Sequence, residues 1–337
     1  MNTNLNEIRN RVELNYGIKK IEEWYDKGSE SLSIVTIPYN STLIFSDIIL
    51  KLVKRNKKIL YIWNGKGIKQ KLVSYVKRIN KDIKFSYITS RESREDITFI
   101  NYRDIDNINE KYDLVIYDDI SYYSSLNNEQ INKLYRKLVN KFTRFILYSI
   151  EELDLDEQFY LGPLSTEKPF VEPRIINTRI DLNNDIPCIL YDYLTWFKLE
   201  KKKVVFIVPR EENIECVYKY YIDKLKLENV KILKVLRNSY EEIKKQVLKI
   251  CNQSIFIITN DMEVVLKDFT VDEAVILFSD SIYFSYKKFL YICAYIGKVN
   301  KLMPEVLLVS KETTIDMDTA KDISRNFNKF IWEKKLK

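Results

Sequence analysis

The chain has 337 residues, a formal net charge of +7, no histidine and only 6 glycines. The lack of histidine excludes Ser-His-Asp and Cys-His catalysis and zinc sites that use histidine. A phosphate loop or dinucleotide fingerprint needs two or three glycines within about eight residues. Only Gly65 and Gly67 lie close together, so the chain has no intact loop of either kind.

The cysteines and the N-terminal sequence bear on the cellular compartment. The 4 cysteines include no CxxC pair, which predicts small buried thiols in a reducing cytosol and no metal site. The N-terminus lacks the apolar core of a signal peptide, and no stretch approaches the roughly 18 apolar residues of a membrane span. We therefore expect a cytoplasmic protein. Its mild positive charge is compatible with a polyanionic partner without being diagnostic of one.

Short apolar runs alternate along the chain with segments that have helical spacing. In the first half, the runs predict strands at residues 32–37, 59–63, 84–88, 97–100, 113–117 and 142–150. In the second half, they predict strands at residues 204–208, 230–236, 255–258, 273–278 and 306–309. Continuous β-branched strands that alternate with amphipathic helices are typical of parallel sheets covered on both faces.

The segment 153–187 separates the two series of strands. It holds four of the 7 prolines and few periodic apolar residues, which predicts a linker. The chain is therefore expected to form two α/β domains in tandem, over residues 1–165 and 166–337.

Ligands of such sheets bind at the carboxyl ends of the strands. Asn40, Ser41 and Thr42 follow the first predicted strand, and Asp118 and Asp119 follow the fifth. An apolar strand that ends in acids is how P-loop NTPases hold magnesium and orient water. The alternatives are turn or cap roles for the two acids and a helix N-cap for Ser41 and Thr42.

The order of the sequence motifs adds a family resemblance. The fragments at residues 34–45, 59–67, 113–121, 205–210, 257–275 and 291–298 follow the order of helicase motifs. The chain thus resembles superfamily 2 helicases, most closely the ComFA-type late-competence DNA translocase, which is itself similar to the primosomal helicase PriA. The resemblance covers nearly the whole chain from about residue 15.

The resemblance implies two tandem RecA-like domains of the P-loop NTPase type, each a parallel sheet with helices on both faces. It also implies ATP and magnesium as cofactors, single-stranded DNA as a ligand and a protein partner in the DNA-uptake machinery. The protein would then lie in the cytoplasm or at the inner face of the membrane.

The departures from the family pattern fall on the residues that handle phosphate. Ser41 stands where the family has its phosphate-binding lysine, whereas Thr42 keeps the hydroxyl on the magnesium side. Asp118 keeps the acid that binds the metal, and Asp119 replaces a glutamate. Loss of the lysine should remove several kcal/mol of transition-state stabilisation.

The motifs of the second half are similarly altered. Glu263 survives in the fifth motif, where its alternative role is that of a solvated loop acid. In the sixth motif Tyr295 replaces the first arginine and Lys298 the second. Lysine cannot reproduce the planar fork of an arginine finger. The degenerate nucleotide site predicted from the sequence thus comprises Asn40, Ser41, Thr42, Glu263 and Lys298 beside the two aspartates.

A candidate nucleic-acid contact follows the second predicted strand. Trp63, Lys66, Lys69 and Lys71 lie where members of the family contact the nucleic-acid backbone. Single-strand channels combine such positive charge with aromatic platforms. The alternative is a solvated, lysine-rich helix face.

Three functional hypotheses follow from the sequence. The first is a helicase-like protein that has lost ATPase activity and binds single-stranded DNA or a partner. The second is an active translocase with unorthodox motifs. The third is a protein-interaction scaffold without a nucleic-acid role.

Overall fold

The computed structural model describes residues 2–88, 95–164, 169–236, 240–249, 252–262, 270–299 and 304–336. The chain divides into two compact units, residues 1–167 and residues 168–337. Each unit is built on a sheet whose paired strands are all parallel.

The described part of the first unit contains seven strands and four α-helices. The strands are β1 (Ser31–Val35), β2 (Ile59–Trp63), β3 (Phe85–Tyr87), β4 (Ile97–Asn101), β5 (Tyr112–Asp118), β6 (Phe142–Ser149) and β7 (Glu157–Tyr160). The helices are α1 (Asn2–Lys27), α2 (Ser46–Val53), α3 (Gln70–Ile79) and α4 (Asn128–Leu138). Short 3-10 turns lie at Thr42–Phe45, Tyr102–Asn107 and Val139–Lys141.

The strand order in the first unit is β3-β4-β2-β5-β6-β1-β7. The register places Trp63 beside Asp118, Asp118 beside Tyr148, and Tyr148 beside Ile34. The carboxyl ends of β2, β5, β6 and β1 therefore lie next to one another, and the segments that follow these strands share one edge of the sheet.

Helices cover both faces of the first sheet. On one face, Leu60 and Val115 join a buried cluster with Ile131 and Leu134 of α4. A capping box between Asn127 and Gln130 starts this helix. On the other face, the Phe45 ring packs edge-on against Tyr148 and Tyr61, with centroid distances of 5.1 and 6.3 Å.

The described part of the second unit contains six strands and five α-helices. The strands are β8 (Arg174–Asn177), β9 (Lys203–Ile207), β10 (Val230–Val235), β11 (Ser254–Thr259), β12 (Glu273–Leu277) and β13 (Val306–Ser310). The helices are α5 (Cys188–Leu199), α6 (Glu211–Tyr220), α7 (Tyr240–Lys249), α8 (Tyr286–Val299) and α9 (Ile315–Leu336). A π-helical turn at Tyr221–Leu225 extends α6.

The second sheet has the order β10-β11-β9-β12-β13-β8. One face packs Val204 and Phe206 against α5 and α6, through Leu194 and Val217 among others. The strand residues between these, such as Val205, point to the opposite face and are also fully buried. Burial on both faces explains why these strands are apolar throughout.

The prediction of two parallel sheets with helices on both faces is confirmed, and every strand predicted from an apolar run is present within one or two residues. The segment 153–187, predicted as a linker, contains the boundary between the two units, but it also supplies an edge strand to each sheet: β7 pairs with β1 and β8 with β13. Both strands are only partly buried, and polar residues occupy two of the four positions in each. They therefore lack the continuous apolar run that marks a central strand.

Helix α1, which the sequence analysis did not predict, packs against the first unit through Gly17 and Trp24. A Cβ atom on Gly17 would lie 3.1 Å from Leu161 Cδ1 and 3.3 Å from Ile44 Cγ2. The Trp24 indole is buried, and its Nε1 donates to the Ser31 carbonyl over 3.1 Å. The helix thus lies directly against the 3-10 turn that follows β1.

We expect Gly17→Val to lower the free energy of unfolding by about 1–3 kcal/mol, the usual cost of forcing extra methyl groups into a packed contact. Urea unfolding followed by tryptophan fluorescence measures the change. Asn15→Val on the exposed side of α1 is the control, since it places the same β-branched side chain in the helix without entering that contact. Equal effects of the two substitutions would show that α1 does not pack closely here.

Candidate nucleotide site and nucleic-acid surface

The turn after β1 is folded around the buried side chain of Asn40. Its Nδ2 donates to Thr36 Oγ1 over 2.7 Å and to the Gly162 carbonyl over 2.9 Å. Its Oδ1 accepts from the backbone N–H groups of Ser41 and Leu164, each over 2.9 Å. The amide therefore uses both donors and both lone pairs within the protein, and it fills the turn that the family resemblance assigns to phosphate.

Ser41 caps the 3-10 turn that follows. Its Oγ accepts from the backbone N–H of Leu43 over 3.3 Å, and its carbonyl accepts from the Tyr148 hydroxyl over 3.0 Å. In a phosphate loop, backbone N–H groups of this segment cradle the phosphates. Here the N–H groups of Ser41 and Leu43 are already bonded to side-chain oxygens of the turn itself.

Tyr39 adopts a left-handed backbone conformation within this turn. Its φ of 59° lies in the left-handed region, which a residue with a bulky side chain rarely adopts. The Tyr39 N–H donates to the Ile120 carbonyl over 2.9 Å. A backbone bond thus joins this turn to the loop that follows β5.

Asp118 ends β5 and is fully buried. One oxygen, Oδ2, accepts from the Tyr61 hydroxyl over 2.6 Å and lies 3.6 Å from the Lys69 ammonium. The other, Oδ1, accepts from the N–H groups of Ile120 and Ser121 over 3.3 and 2.9 Å. Both carboxylate oxygens are thereby satisfied by protein donors, and the negative charge has a cationic partner.

Tyr61 links the two halves of this arrangement. Burial, reinforced by the negative charge of Asp118, holds the pKa of the Tyr61 hydroxyl well above its usual range. The hydroxyl therefore stays protonated and donates to Asp118. Thr42 also hydrogen-bonds to the Tyr61 hydroxyl, so this tyrosine bridges Thr42 and Asp118.

Asp119 is buried beside two hydroxyl groups. Its Oδ1 accepts from the Tyr117 hydroxyl over 3.1 Å, and its Oδ2 accepts from Ser149 Oγ over 3.4 Å. Burial and, to a smaller extent, the charge of Asp119 raise the pKa of Tyr117 well above its usual range. This phenol therefore stays protonated and remains a hydrogen-bond donor. The Asp119 carboxylate is therefore hydrogen-bonded within the interior of the first unit.

Two of the residues predicted for magnesium and nucleotide, Thr42 and Asp118, are engaged in contacts within the protein. P-loop NTPases hold magnesium through a loop hydroxyl and a strand-end aspartate. Here the corresponding pair, Thr42 and Asp118, is joined by Tyr61, and Lys69 supplies the positive charge beside the carboxylate. The described side chains also include no group of three or more Cys, Asp or Glu residues that could hold a metal ion.

Lys69 and Trp63 of the predicted nucleic-acid contact face this network. The Lys69 ammonium lies 4.6 Å from the centroid of the Trp63 ring, and only 16% of the Lys69 side chain is exposed. Lys66 and Lys71, in contrast, are exposed. The structure thus divides the four predicted residues into two that pack inward and two that remain accessible to a ligand.

Neighbouring loops contribute residues that the sequence analysis did not identify. Asn101 Nδ2 donates to the Gly65 carbonyl over 3.2 Å, and Asn64 donates to the Tyr123 carbonyl. The loops after β2, β4 and β5 are thereby joined. Exposed Arg103, whose guanidinium lies 5.5 Å from the Tyr102 ring centroid, extends the edge that carries Lys66 and Lys71.

The sequence contains a signal for the missed tyrosines. Tyr61, Tyr117 and Tyr148 each stand in a short apolar run, at residues 59–63, 114–117 and 145–148. A buried phenol needs a hydrogen-bond partner, and the strand-end aspartates and the turn after β1 provide acceptors. Three such tyrosines on neighbouring strands indicate a polar network at that edge.

In the second unit, Arg210 follows β9 and is exposed, with its guanidinium 5.3 Å from the centroid of the Tyr283 ring. Tyr295 is partly buried on α8, a helix that places Phe289, Ile292 and Ile296 in the core. Aromatic and aliphatic side chains of this helix therefore serve packing. Glu263 lies outside the described residues. Lys298 lies in α8, and its side chain is likewise outside the described set.

No protein-family model and no curated protein matches the sequence. The fold is similar to that in the structure of S. tokodaii Xpd4, with a TM-score of 0.55, 11% identity, and coverage of 88% of this chain and 95% of that one. It is also similar to the Escherichia coli DEAH/RHA helicase HrpB, with a TM-score of 0.50 and 11% identity over 92% of this chain and 43% of HrpB.

At such low identity the similarity establishes the fold alone. The chain therefore has a helicase-like fold with two RecA-like units in tandem. It spans less than half of HrpB. Among the described helices, none combines the length and apolarity that a membrane crossing requires.

We expect Tyr61→Phe to lower the free energy of unfolding by about 1.5–3 kcal/mol, because buried Asp118 loses a hydroxyl donor to its charge. Tyr135→Phe is the matched control, since it removes the same atom from a ring that packs against Phe142 and Phe145. Urea unfolding of the two variants measures the difference. Indistinguishable midpoints would contradict the role assigned to the Tyr61 hydroxyl.

Proposed function

We propose that this helicase-like protein does not hydrolyse ATP and acts as a scaffold that binds single-stranded DNA. The observation that carries the proposal is the bridge from Thr42 through Tyr61 to Asp118, closed by the Lys69 ammonium. These contacts use the groups through which a P-loop enzyme would hold magnesium. Hydrolysis of ATP, which depends on magnesium, would then lack its metal ligands.

The turn after β1 supports the same proposal. Phosphoryl transfer needs a lysine and free N–H groups around the phosphates, and Asn40 and Ser41 bond the N–H groups of Ser41 and Leu43 within the turn. Binding of a triphosphate would require these bonds to break, and no lysine in the turn would compensate. The groups expected to bind magnesium and those expected to bind phosphate are therefore both engaged in contacts within the protein.

The case for nucleic acid rests on the edge of the first sheet. The segments 64–71, 101–104 and 121–124 meet there, and they contain one carboxylate, Asp104. Exposed lysine and arginine side chains beside tyrosine rings suit single strands, because the cations follow the phosphates and the rings stack on bases. The helicase-like fold agrees with this choice of ligand.

We expect no ATP hydrolysis above the background of an Asp118→Ala variant, with or without single-stranded DNA. The reason is that Thr42 and Asp118, the expected magnesium ligands, are already bonded to Tyr61. A phosphate-release assay measures turnover, and circular dichroism checks that the variant is folded. DNA-stimulated turnover that Asp118→Ala abolishes would instead establish an active translocase with unorthodox motifs.

We expect the protein to bind a fluorescent oligonucleotide with an affinity that falls as salt rises. If Lys66 and Lys71 each contact a phosphate, replacing either with Met should reduce the slope of log K against log[salt] by about 0.7. Lys77→Met on the exposed face of α3 is the control at a similar position in sequence. Fluorescence anisotropy across a salt series gives the slopes.

The absence of any affinity for oligonucleotide would favour the third hypothesis, a scaffold that binds protein alone. One observation points in that direction: Ile282 is 92% exposed and stands next to Tyr283, which is about half exposed. Adjacent exposed apolar side chains can form part of a protein interface. Retention of a partner on immobilised protein, and its loss in Ile282→Asp, would then identify this surface.

The order of motifs also leads us to propose a link to DNA uptake during competence, with a partner protein at the cytoplasmic face of the membrane. Disruption of the gene in its host should then lower the frequency of natural transformation. Complementation with the native gene should restore the frequency, whereas a Lys66→Met/Lys71→Met gene should not. An unchanged frequency after disruption would remove the competence role and leave the biochemical proposal standing.

A further inference from the structure

The loop that connects β2 to α3, residues 64–69, is fastened to the first unit at several points. Trp63 Nε1 donates to the Gly67 carbonyl over 3.2 Å, and Asn101 Nδ2 donates to the Gly65 carbonyl over 3.2 Å. Asn64 is bonded to the carbonyl of Tyr123. The loop therefore has one preferred path from the end of β2 to the start of α3.

The indole of Trp63 forms the surface on which this loop is folded. A Cβ atom on Gly65 would lie 2.2 Å from the indole ring, so the backbone at this position lies against the ring itself. Gly67 has a φ of +76°, which glycine adopts without strain. Two of the 6 glycines in the chain thus serve to wrap the loop around Trp63.

Lys69 holds the far end of the loop. Its ammonium lies over the Trp63 ring at 4.6 Å and reaches the fully buried Asp118 at 3.6 Å. A buried carboxylate that loses its cation is strongly destabilised. Asp118 therefore favours the one loop conformation that brings Lys69 to it, and the same conformation fixes where Lys66 and Lys71 stand on either side.

We propose that Lys69 is a positioning residue: its ion pair with Asp118 and its contact with Trp63 hold loop 64–69 in the conformation that presents Lys66 and Lys71 to a single strand. In P-loop enzymes the corresponding acid holds magnesium, whereas here it holds the loop. Binding of single-stranded DNA is therefore independent of nucleotide and of magnesium. The part that concerns DNA rests on the proposed function above.

The loop itself can be tested without any DNA. Asp118→Asn removes the charge but keeps an oxygen acceptor for Tyr61, and trypsin should then cleave after Lys66 about tenfold faster, since a charged contact no longer opposes local opening. The double variant Lys69→Met/Asp118→Asn, which leaves no unpaired charge, should be cleaved equally fast. Asp113→Asn is the control, because it breaks an ion pair with Lys57 near the other end of the same strand. Cleavage of both variants at the native rate would overturn the proposal.

The effect of these variants on DNA binding distinguishes a positioning role of Lys69 from direct contact of Lys69 with phosphate. If Lys69 positions the loop, Asp118→Asn should weaken oligonucleotide binding about tenfold, with no change in the salt slope, because the number of phosphate contacts is the same. The double variant should bind no more weakly than Asp118→Asn. If Lys69 instead contacts phosphate, Asp118→Asn should tighten binding, and the double variant should lose about 0.7 of slope; either result would overturn the proposal.

The two proposals fail in different ways. If the native protein does not bind oligonucleotide but the Asp118→Asn variant is cleaved faster after Lys66, DNA binding is refuted and the role of Lys69 in the loop is kept. A native protein that binds DNA only when ATP and magnesium are added would refute the independence from nucleotide. Both proposals are supported if the native protein binds oligonucleotide equally with and without magnesium and the Asp118→Asn variant binds it more weakly.

Discussion

A carboxylate buried in a protein interior must be neutralised by nearby donors and a cation, and the edge of the first sheet is organised around this requirement. Asp118 is fully buried at the end of β5. Its neighbours are a phenol from β2, two backbone N–H groups of its own loop and the ammonium of Lys69. Two segments distant in sequence, residues 61–69 and residues 118–121, are thereby fixed around one side chain.

The same principle extends to the turn after β1, where Asn40 supplies the acceptor that a phosphate oxygen would otherwise provide to the Ser41 N–H. Under the function proposed above, side chains stand in for both parts of a magnesium–nucleotide complex: an amide oxygen for the anion, and a tyrosine hydroxyl with an ammonium for the cation. A helicase-like fold can in this way keep a well-ordered strand edge without a nucleotide. Its polar groups remain paired, which a buried site requires.

Much of the fold could be predicted from the sequence, because central strands of parallel sheets are apolar throughout and stand out from the helices between them. Strands β7 and β8 were missed since edge strands need only partial burial. At the site, the sequence indicated the positions of Asn40, Thr42 and Asp118 at the carboxyl ends of two strands, β1 and β5, of the same sheet. It did not reveal Tyr61 as the bridge or Lys69 as the counter-ion, because the first contact depends on the face of β2 that the tyrosine occupies and the second on the path of the loop after β2.

The hydrogen bond from the Leu164 N–H to Asn40 has a consequence for the extent of the first folding unit. Strand β7 ends at Tyr160, yet the Leu161 carbonyl accepts from Thr36, the Gly162 carbonyl accepts from Asn40, and the Gly162 N–H donates to Glu13 of α1. A fragment cut at the last strand would keep the whole sheet but lose the acceptors and the donor that close the turn. Proteolytic trimming between β7 and Leu164 would therefore loosen the opposite end of the unit's sequence, at α1 and the turn after β1.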